Sequence, residues 1–227
     1  MSASSIRRIG VVIPARDEEE LIARCLRSVL DSARNARARV MITVAADGCL
    51  DRTAEFARAF TGVKVIELES SNVGAARAAA SDRAVRRGAE WLANTDADSV
   101  VPPNWLEEQL ALAAAGADVV IGTVRPNFDE LTEQQSSAWL ETHEAGEPNG
   151  HVHGANLGIR ASAYRAAGGY RSLPEHEDAE LVERLRDFTI VATDRAEVIT
   201  SARRIGRTPG GYARYLRENL LASVRNP

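Results

Sequence analysis

From residue 9 to about residue 122 the chain alternates short apolar runs with stretches whose apolar residues recur at helical spacing. Residues 9–13 (IGVVI) form the first run, closed by Pro14. Leu21, Ile22, Cys25, Leu26, Val29 and Leu30 then repeat at steps of three and four, which places them on one face of a helix. Further runs stand at 40–46, 63–68, 91–95 and 117–122, with helices expected at about 51–60, 75–88 and 102–115. The last of these opens with Pro102 and Pro103, and proline is tolerated in a first helical turn. Strands and helices in this order predict an α/β fold: a single domain on a Rossmann-like, mainly parallel central sheet with helices on both faces.

In such sheets ligands bind beyond the carboxyl ends of the strands. Polar clusters stand at four of those ends: PARDEE after the first strand, ADGCLD after the second, SNVGAAR after the third and DAD after the fourth. One cluster is only a loop; four on one edge describe a site. Beyond residue 123 the alternation fails. Residues 124–150 read as a polar, mobile or helical excursion with Pro126 and Pro148. An acidic helix is expected from Glu177 to about 186, a strand at 188–192 and a C-terminal helix from Tyr212.

The residue types in these clusters narrow the chemistry. Asp96 and Asp98, one residue apart, can both reach one hard cation, or one can hold a ribose hydroxyl while the other holds the cation; a plain capping loop is the alternative. Asp47 before Gly48 can accept from a base ring N–H, or belong to an ordinary Asp-Gly turn. Arg77, one turn into a helix, can meet negative charge, and Arg16 and Glu18 lie near the same edge. Asp178 is either a working carboxylate or a helix-start charge. His151 and His153 flank one residue, yet no third histidine or thiolate stands near them in sequence. Arg203, Arg204 and Arg207, among Gly206, Gly210 and Gly211, form a basic segment able to fold over a diphosphate.

Composition excludes several classes. A net charge of −4 argues against a nucleic-acid partner. Lys64 is the sole lysine among 28 basic residues, so a phosphate-binding or Schiff-base lysine has almost no candidate. Two cysteines make neither a disulfide framework nor a zinc site, and Cys25 reads as a buried free thiol. MSASSIRRIG lacks a signal-peptide core, and no run reaches the roughly 18 apolar residues of a membrane span. A cytoplasmic protein without a transmembrane segment is expected.

VVIPARDEEELIARCLRSVL, ADGCLDRT, NVGAAR, TDAD and GANLGIRASAYRAAGGYRSLPEHEDAEL together resemble the family 2 glycosyltransferases of the GT-A fold, over about residues 8–190. The resemblance implies an inverting transferase that takes a sugar from a nucleoside-diphosphate donor (UDP or GDP type) with a divalent metal, Mg²⁺ or Mn²⁺, to an acceptor hydroxyl of unknown identity. It divides the single GT-A domain into a nucleotide-sugar half, about 8–123, and an acceptor and catalytic-base half, about 124–227. It implies that Pro14, Ala15, Arg16 and Glu18 line the nucleoside pocket, that Asp47 meets the base and that Arg77 lies near the nucleotide. Asp96 would hold ribose or metal-bound water, Asp98 the metal, and Asp178, preceded by Glu177, would be the catalytic base. Read from the residues alone, the small residues Gly154, Ala155 and Asn156 suit a wall that approaches a ligand closely, and Arg203 and Arg204 can meet a diphosphate, a solvated basic turn being the alternative. Three positions depart from the family pattern: Ala46 replaces the first of two adjacent acids, Cys49 replaces serine, and Arg16 replaces an aromatic. A nucleotidyltransferase would need a glycine-rich basic loop after the first strand, which PARDEE is not; a non-catalytic sugar-nucleotide-binding module would not need Asp178.

Overall fold

The computed structural model describes residues 6–143, 151–208 and 210–223. The alternation holds through the first half. Strand β1 (Arg8–Ala15) leads to α1 (Ile22–Asn35), β2 (Arg39–Asp47), α2 (Thr53–Arg58), β3 (Val63–Leu68), α3 (Val73–Arg86) and β4 (Trp91–Asn94). Two residues after Asn94 the chain turns through Asp96 and Asp98 into a two-residue strand, β5 (Ser99–Val100), which the sequence pattern did not reveal. Helix α4 (Trp105–Ala114) begins after Pro102 and Pro103 rather than on them. The Trp105 N–H donates to the Pro102 carbonyl at 3.0 Å, so the prolines shape the turn before the helix.

Strand β6 (Val119–Pro126) runs into the stretch expected to be an excursion, because Val124–Pro126 pair with a long strand from the C-terminal half. A helix, α5 (Glu133–Thr142), follows, capped by a reciprocal pair in which Thr132 and Gln135 satisfy each other's backbone N–H groups. Residues 144–150 of that expected excursion lie outside the described residues. The chain continues through β7 (Leu157–Arg160), α6 (Ala161–Ala166), α7 (Glu177–Arg184), β8 (Ile190–Thr200) and α8 (Tyr212–Ser223). Strand β8 reaches eight residues beyond its expected end at 192, since its far half pairs with β6 and β5.

The sheet has the order β3-β2-β1-β4-β7-β6-β8-β5. The pairs among β3, β2, β1 and β4 are parallel, β7 is antiparallel to both its neighbours, and β6 and β8 run parallel. Every residue of β1 after Arg8 is buried, because both faces are covered. Val11 and Ile13 enter the core under α1, while Val12 points to the opposite core under the alanine-rich α3. Helix α3 can lie this close because Gly10 carries no side chain: a Cβ there would collide with Ala84. Among the described residues no helix is long and apolar enough to cross a membrane.

Candidate active site

One cavity of about 680 Å³ opens at the carboxyl edge of β1, β2 and β4. The loops after those strands form one wall, the turn before α3 another, and residues 152–155, the start of α7 and the segment after β8 close the far side. It therefore gathers the residues singled out from the sequence, with two exceptions. Asn156 is buried away from the cavity as a strut: its Nδ2 donates to the Thr123 and Ala196 carbonyls at 2.9 Å each, and its Oδ1 accepts from Trp105 Nε1 at 2.9 Å. Arg204 is exposed and not part of the wall.

The Asp-Ala-Asp turn follows directly from β4. Asp96 accepts from Arg77 Nη2 at 2.5 Å, with its side chain 37 % exposed to the cavity. Behind the turn the Cys25 thiol donates to the Asp96 carbonyl at 3.3 Å; burial and the nearby carboxylates push that thiol well above its usual range. This matches the expected buried free cysteine. Asp98 is more enclosed: Arg203 Nη2 lies 2.9 Å from its Oδ2, and Thr200 Oγ1 donates to its Oδ1 at a long 3.3 Å. Burial pushes the Asp98 carboxyl up to about 7, with Asp96 and Glu18 adding to the rise and Arg203 opposing it.

Arg77 joins the two halves. Its Nε donates to Glu177 Oε1 at 2.7 Å while its Nη2 holds Asp96, and both Arg77 and Glu177 are almost inaccessible. Burial alone would lower the guanidinium's affinity for its proton, but Asp96 and Glu177 outweigh it, so the charge is fixed. Arg77 lines the cavity, and its charge is taken up by two carboxylates of the protein. Glu177 is held up by burial against the pull of Arg77. The neighbouring Asp178 faces the cavity half-buried, its Oδ2 accepting from the Gly154 N–H at 2.5 Å and its Oδ1 from the Ala179 N–H at 2.7 Å. Gly154 is required there, because a Cβ would strike the Arg77 guanidinium.

Asp47 has a local task as well. Its carboxylate accepts from the N–H groups of Ser70, Ser71 and Asn72 at 2.7, 3.0 and 2.7 Å, and from Ser70 Oγ at 2.9 Å. Four acceptor positions are thus used on the turn before α3, and Asp47 presents that turn to the cavity rather than a free oxygen. The non-glycine residues with left-handed backbone among those described are Asp17, Ser71 and His176, with φ of 52°, 49° and 59°. Ser71 and His176 line the cavity and Asp17 adjoins Glu18, so local strain collects at the site.

The sequence reading missed the aromatic side of the cavity. Tyr212 and Tyr215 stack with centroids 5.7 Å apart, His153 meets Tyr212 edge-on at 5.9 Å, and His143 meets Tyr215 edge-on at 6.4 Å. The tyrosines' spacing of three on the C-terminal helix was the available signal. Burial lowers the affinity of His153 for a proton, against the pull of Asp178. A separate group, Asp17, Cys49 and Asp51, has its ligand atoms within 4.8 Å of one another. Asp51 there caps α2 through the Thr53 N–H, and Asp17 accepts from the Leu50 N–H, so both carboxylates already organise loops.

Comparison with known proteins agrees with this architecture. The family described as glycosyl transferase family 2 matches residues 10–166. The putative glycosyltransferase EpsH of Bacillus subtilis (strain 168) is 26 % identical over 144 residues, 63 % of this chain and 41 % of EpsH. The chain thus spans about two fifths of that relative's length. Among solved structures, TarS 1–349 of S. aureus in complex with UDP-GlcNAc superposes with a TM-score of 0.70 at 15 % identity, over 97 % of this chain and 67 % of that one. TarS 1–349 in complex with UDP gives 0.65 at 16 % identity, over 87 % and 61 %. At that identity the likeness speaks for the fold, which is GT-A. The chain belongs to glycosyl transferase family 2.

Proposed function

We propose that the chain moves a sugar from a nucleoside-diphosphate sugar to an acceptor hydroxyl with inversion, with Asp178 as base and a divalent cation held by Asp98 and Asp96. The observation that carries this reading is the Asp96–Arg77–Glu177 bridge. One buried guanidinium fixes the acidic turn after β4 relative to the first turn of α7, and so fixes Asp98 relative to Asp178 across one cavity. Inversion needs that arrangement: one group serves the departing diphosphate while another, on the opposite side of the sugar, takes the proton of the attacking hydroxyl.

The residues fit a hard cation. The acidic pole of the cavity offers carboxylate oxygens of Asp96 and Asp98, with Glu18 beside them, and burial disfavours the Asp98 charge even with Arg203 alongside. When bound, Mg²⁺ or Mn²⁺ would supply stabilisation of the charge gathering on the leaving diphosphate. The rest belongs to the chain. Asp47 orders the turn that borders the nucleoside pocket with Pro14, Ala15 and Arg16. Asp178, held by the Gly154 N–H, takes the acceptor proton onto a carboxylate oxygen. The stacked tyrosines, with His143 and His153 edge-on to them, stand on the acceptor side. TarS has been solved with UDP and UDP-GlcNAc, which makes UDP the first nucleotide to test and GDP the second. A cytoplasmic site of action accords with two free cysteines.

Asp178→Asn keeps size and polarity but cannot take a proton at neutral pH. Donor binding is expected to persist while turnover falls by roughly 10²- to 10⁴-fold. Full turnover in a folded Asp178→Asn protein would remove the base from this mechanism; binding of UDP-sugars with neither transfer nor hydrolysis in wild type would leave a binding module.

A further inference from the structure

Arg203 stands where the acidic pole of the cavity needs a cation. Its Nη1 and Nη2 grip Glu18 Oε2 and Oε1 at 2.8 and 2.6 Å, a bidentate pair, and the same Nη2 lies 2.9 Å from Asp98 Oδ2. Its backbone N–H donates to Ser201 Oγ at 3.3 Å, and Arg207 adds a second guanidinium 3.5 Å from Glu18 Oε1. Glu18 is 95 % shielded from solvent, its side chain being 5 % exposed. Strand β8 ends at Thr200, so three residues carry the chain from the sheet edge to this position. Gly206, Gly210 and Gly211 follow before α8.

We propose that Arg203 is an internal surrogate for the divalent cation: the Glu18–Arg203–Asp98 bridge closes the metal position in the free protein, and metal binding requires the guanidinium to leave Asp98. The inference rests on the assignment of Asp98 to the metal made above. A divalent ion sits about 2.0–2.6 Å from a carboxylate oxygen. A guanidinium nitrogen 2.9 Å from that same oxygen would place two positive groups within a few ångströms of each other. Both cannot hold Asp98 Oδ2. A donor resolves the conflict, because its diphosphate offers Arg203 a new anionic partner as the ion takes Asp98. Metal and donor then load together, and the free protein holds metal weakly.

The prediction has an unusual sign: deleting a side chain strengthens one ligand and weakens another. In Arg203→Ala, Mn²⁺ titrated alone and followed by electron paramagnetic resonance is expected to bind on the order of tenfold or more tightly than to wild type, the size of one near-surface charge term. Calorimetry of UDP, and of GDP, in the presence of Mn²⁺ should show weaker nucleotide binding in the same variant. Arg204→Ala removes an equal charge from an exposed neighbour outside the bridge and is expected to leave Mn²⁺ affinity within about twofold. A folded Arg203→Ala protein with unchanged or weaker Mn²⁺ binding overturns the proposal, as does an equal gain in Arg204→Ala. Should Arg203→Ala not fold, wild type decides: Mn²⁺ alone at saturation should speed amide exchange over residues 201–208, and unchanged protection overturns the proposal. The two readings separate cleanly. If neither nucleotide binds yet Arg203→Ala still gains Mn²⁺ affinity, the bridge stands and the transferase reading falls. If nucleotide binds and that gain is absent, the bridge alone falls.

Discussion

At the scale of single residues the site is governed by how buried charge is shared. Arg77 serves two carboxylates from inside the protein, and removing one partner of a buried pair costs about 3–5 kcal/mol because the others stay behind uncompensated. Arg77→Met is therefore expected to lower the thermal midpoint clearly, by differential scanning fluorimetry, while also disordering Asp96. Arg77→Lys keeps the charge but gathers its donors on one nitrogen, in place of the Nε and Nη2 that reach Glu177 and Asp96 separately, so it should recover stability only in part. Asp98 calls for a different measurement. With Mn²⁺ present, calorimetry on Asp98→Ala should show nucleoside-diphosphate affinity reduced by tenfold or more, since the proposed assignment makes Asp98 a direct ligand and diphosphate repulsion would remain. Unchanged affinity would move the metal elsewhere. Asp47, by contrast, acts through the turn it ties together, so Asp47→Ala should loosen amide protection at residues 70–72 along with any loss in nucleotide binding.

Elements are placed by what lies between them. Helix α3 seats on β1 through Gly10 and Ala84, and its N-terminus carries Asn72 as cap, the side chain accepting from the Ala75 N–H at 2.9 Å. That seating brings Arg77 to the cavity. Gly10→Val is expected to force α3 outward at a cost of about 1–3 kcal/mol, with a urea midpoint shift as the readout. Turnover should fall in step, because Arg77 rides on the displaced helix. The strand patterns of this half were readable from sequence because each apolar run is bounded by turns; β1 and β4 are buried on both faces, while the edge strand β3 still shows its apolar residues between the exposed Lys64 and Glu67. Strands β5 and β7 were not: β5 is only two residues long, and β7 lies outside the regular strand–helix alternation, its place set by antiparallel pairing with β4 and β6. The far half of β8 does alternate, with Ala196, Val198 and Thr200 buried, but its near half does not, so pairing with β6 and β5 set the length of the strand.

For the whole molecule, the sheet order interleaves the two halves of the chain. Strand β7 from the second half pairs with β4 and β6 of the first, and β6 lies between β7 and β8. Strands from before and after residue 123 thus share one sheet, and calorimetric unfolding is expected to show a single transition with matching calorimetric and van't Hoff enthalpies. Two resolved transitions would count against it. Local chemistry was enough to determine the fold class, the ligand edge and the candidate acids, because periodicity, turn residues and polar clusters are properties of neighbours in sequence. What only the tertiary structure decided is who neutralises whom. Arg77 reaches Glu177 across 100 positions, and Arg203 reaches Glu18 across 185. Asn156 turned inward as a strut for the same reason, since its three partners come from β6, α4 and β8. Charge pairing acts over a few ångströms of space, and distance along the chain does not encode it.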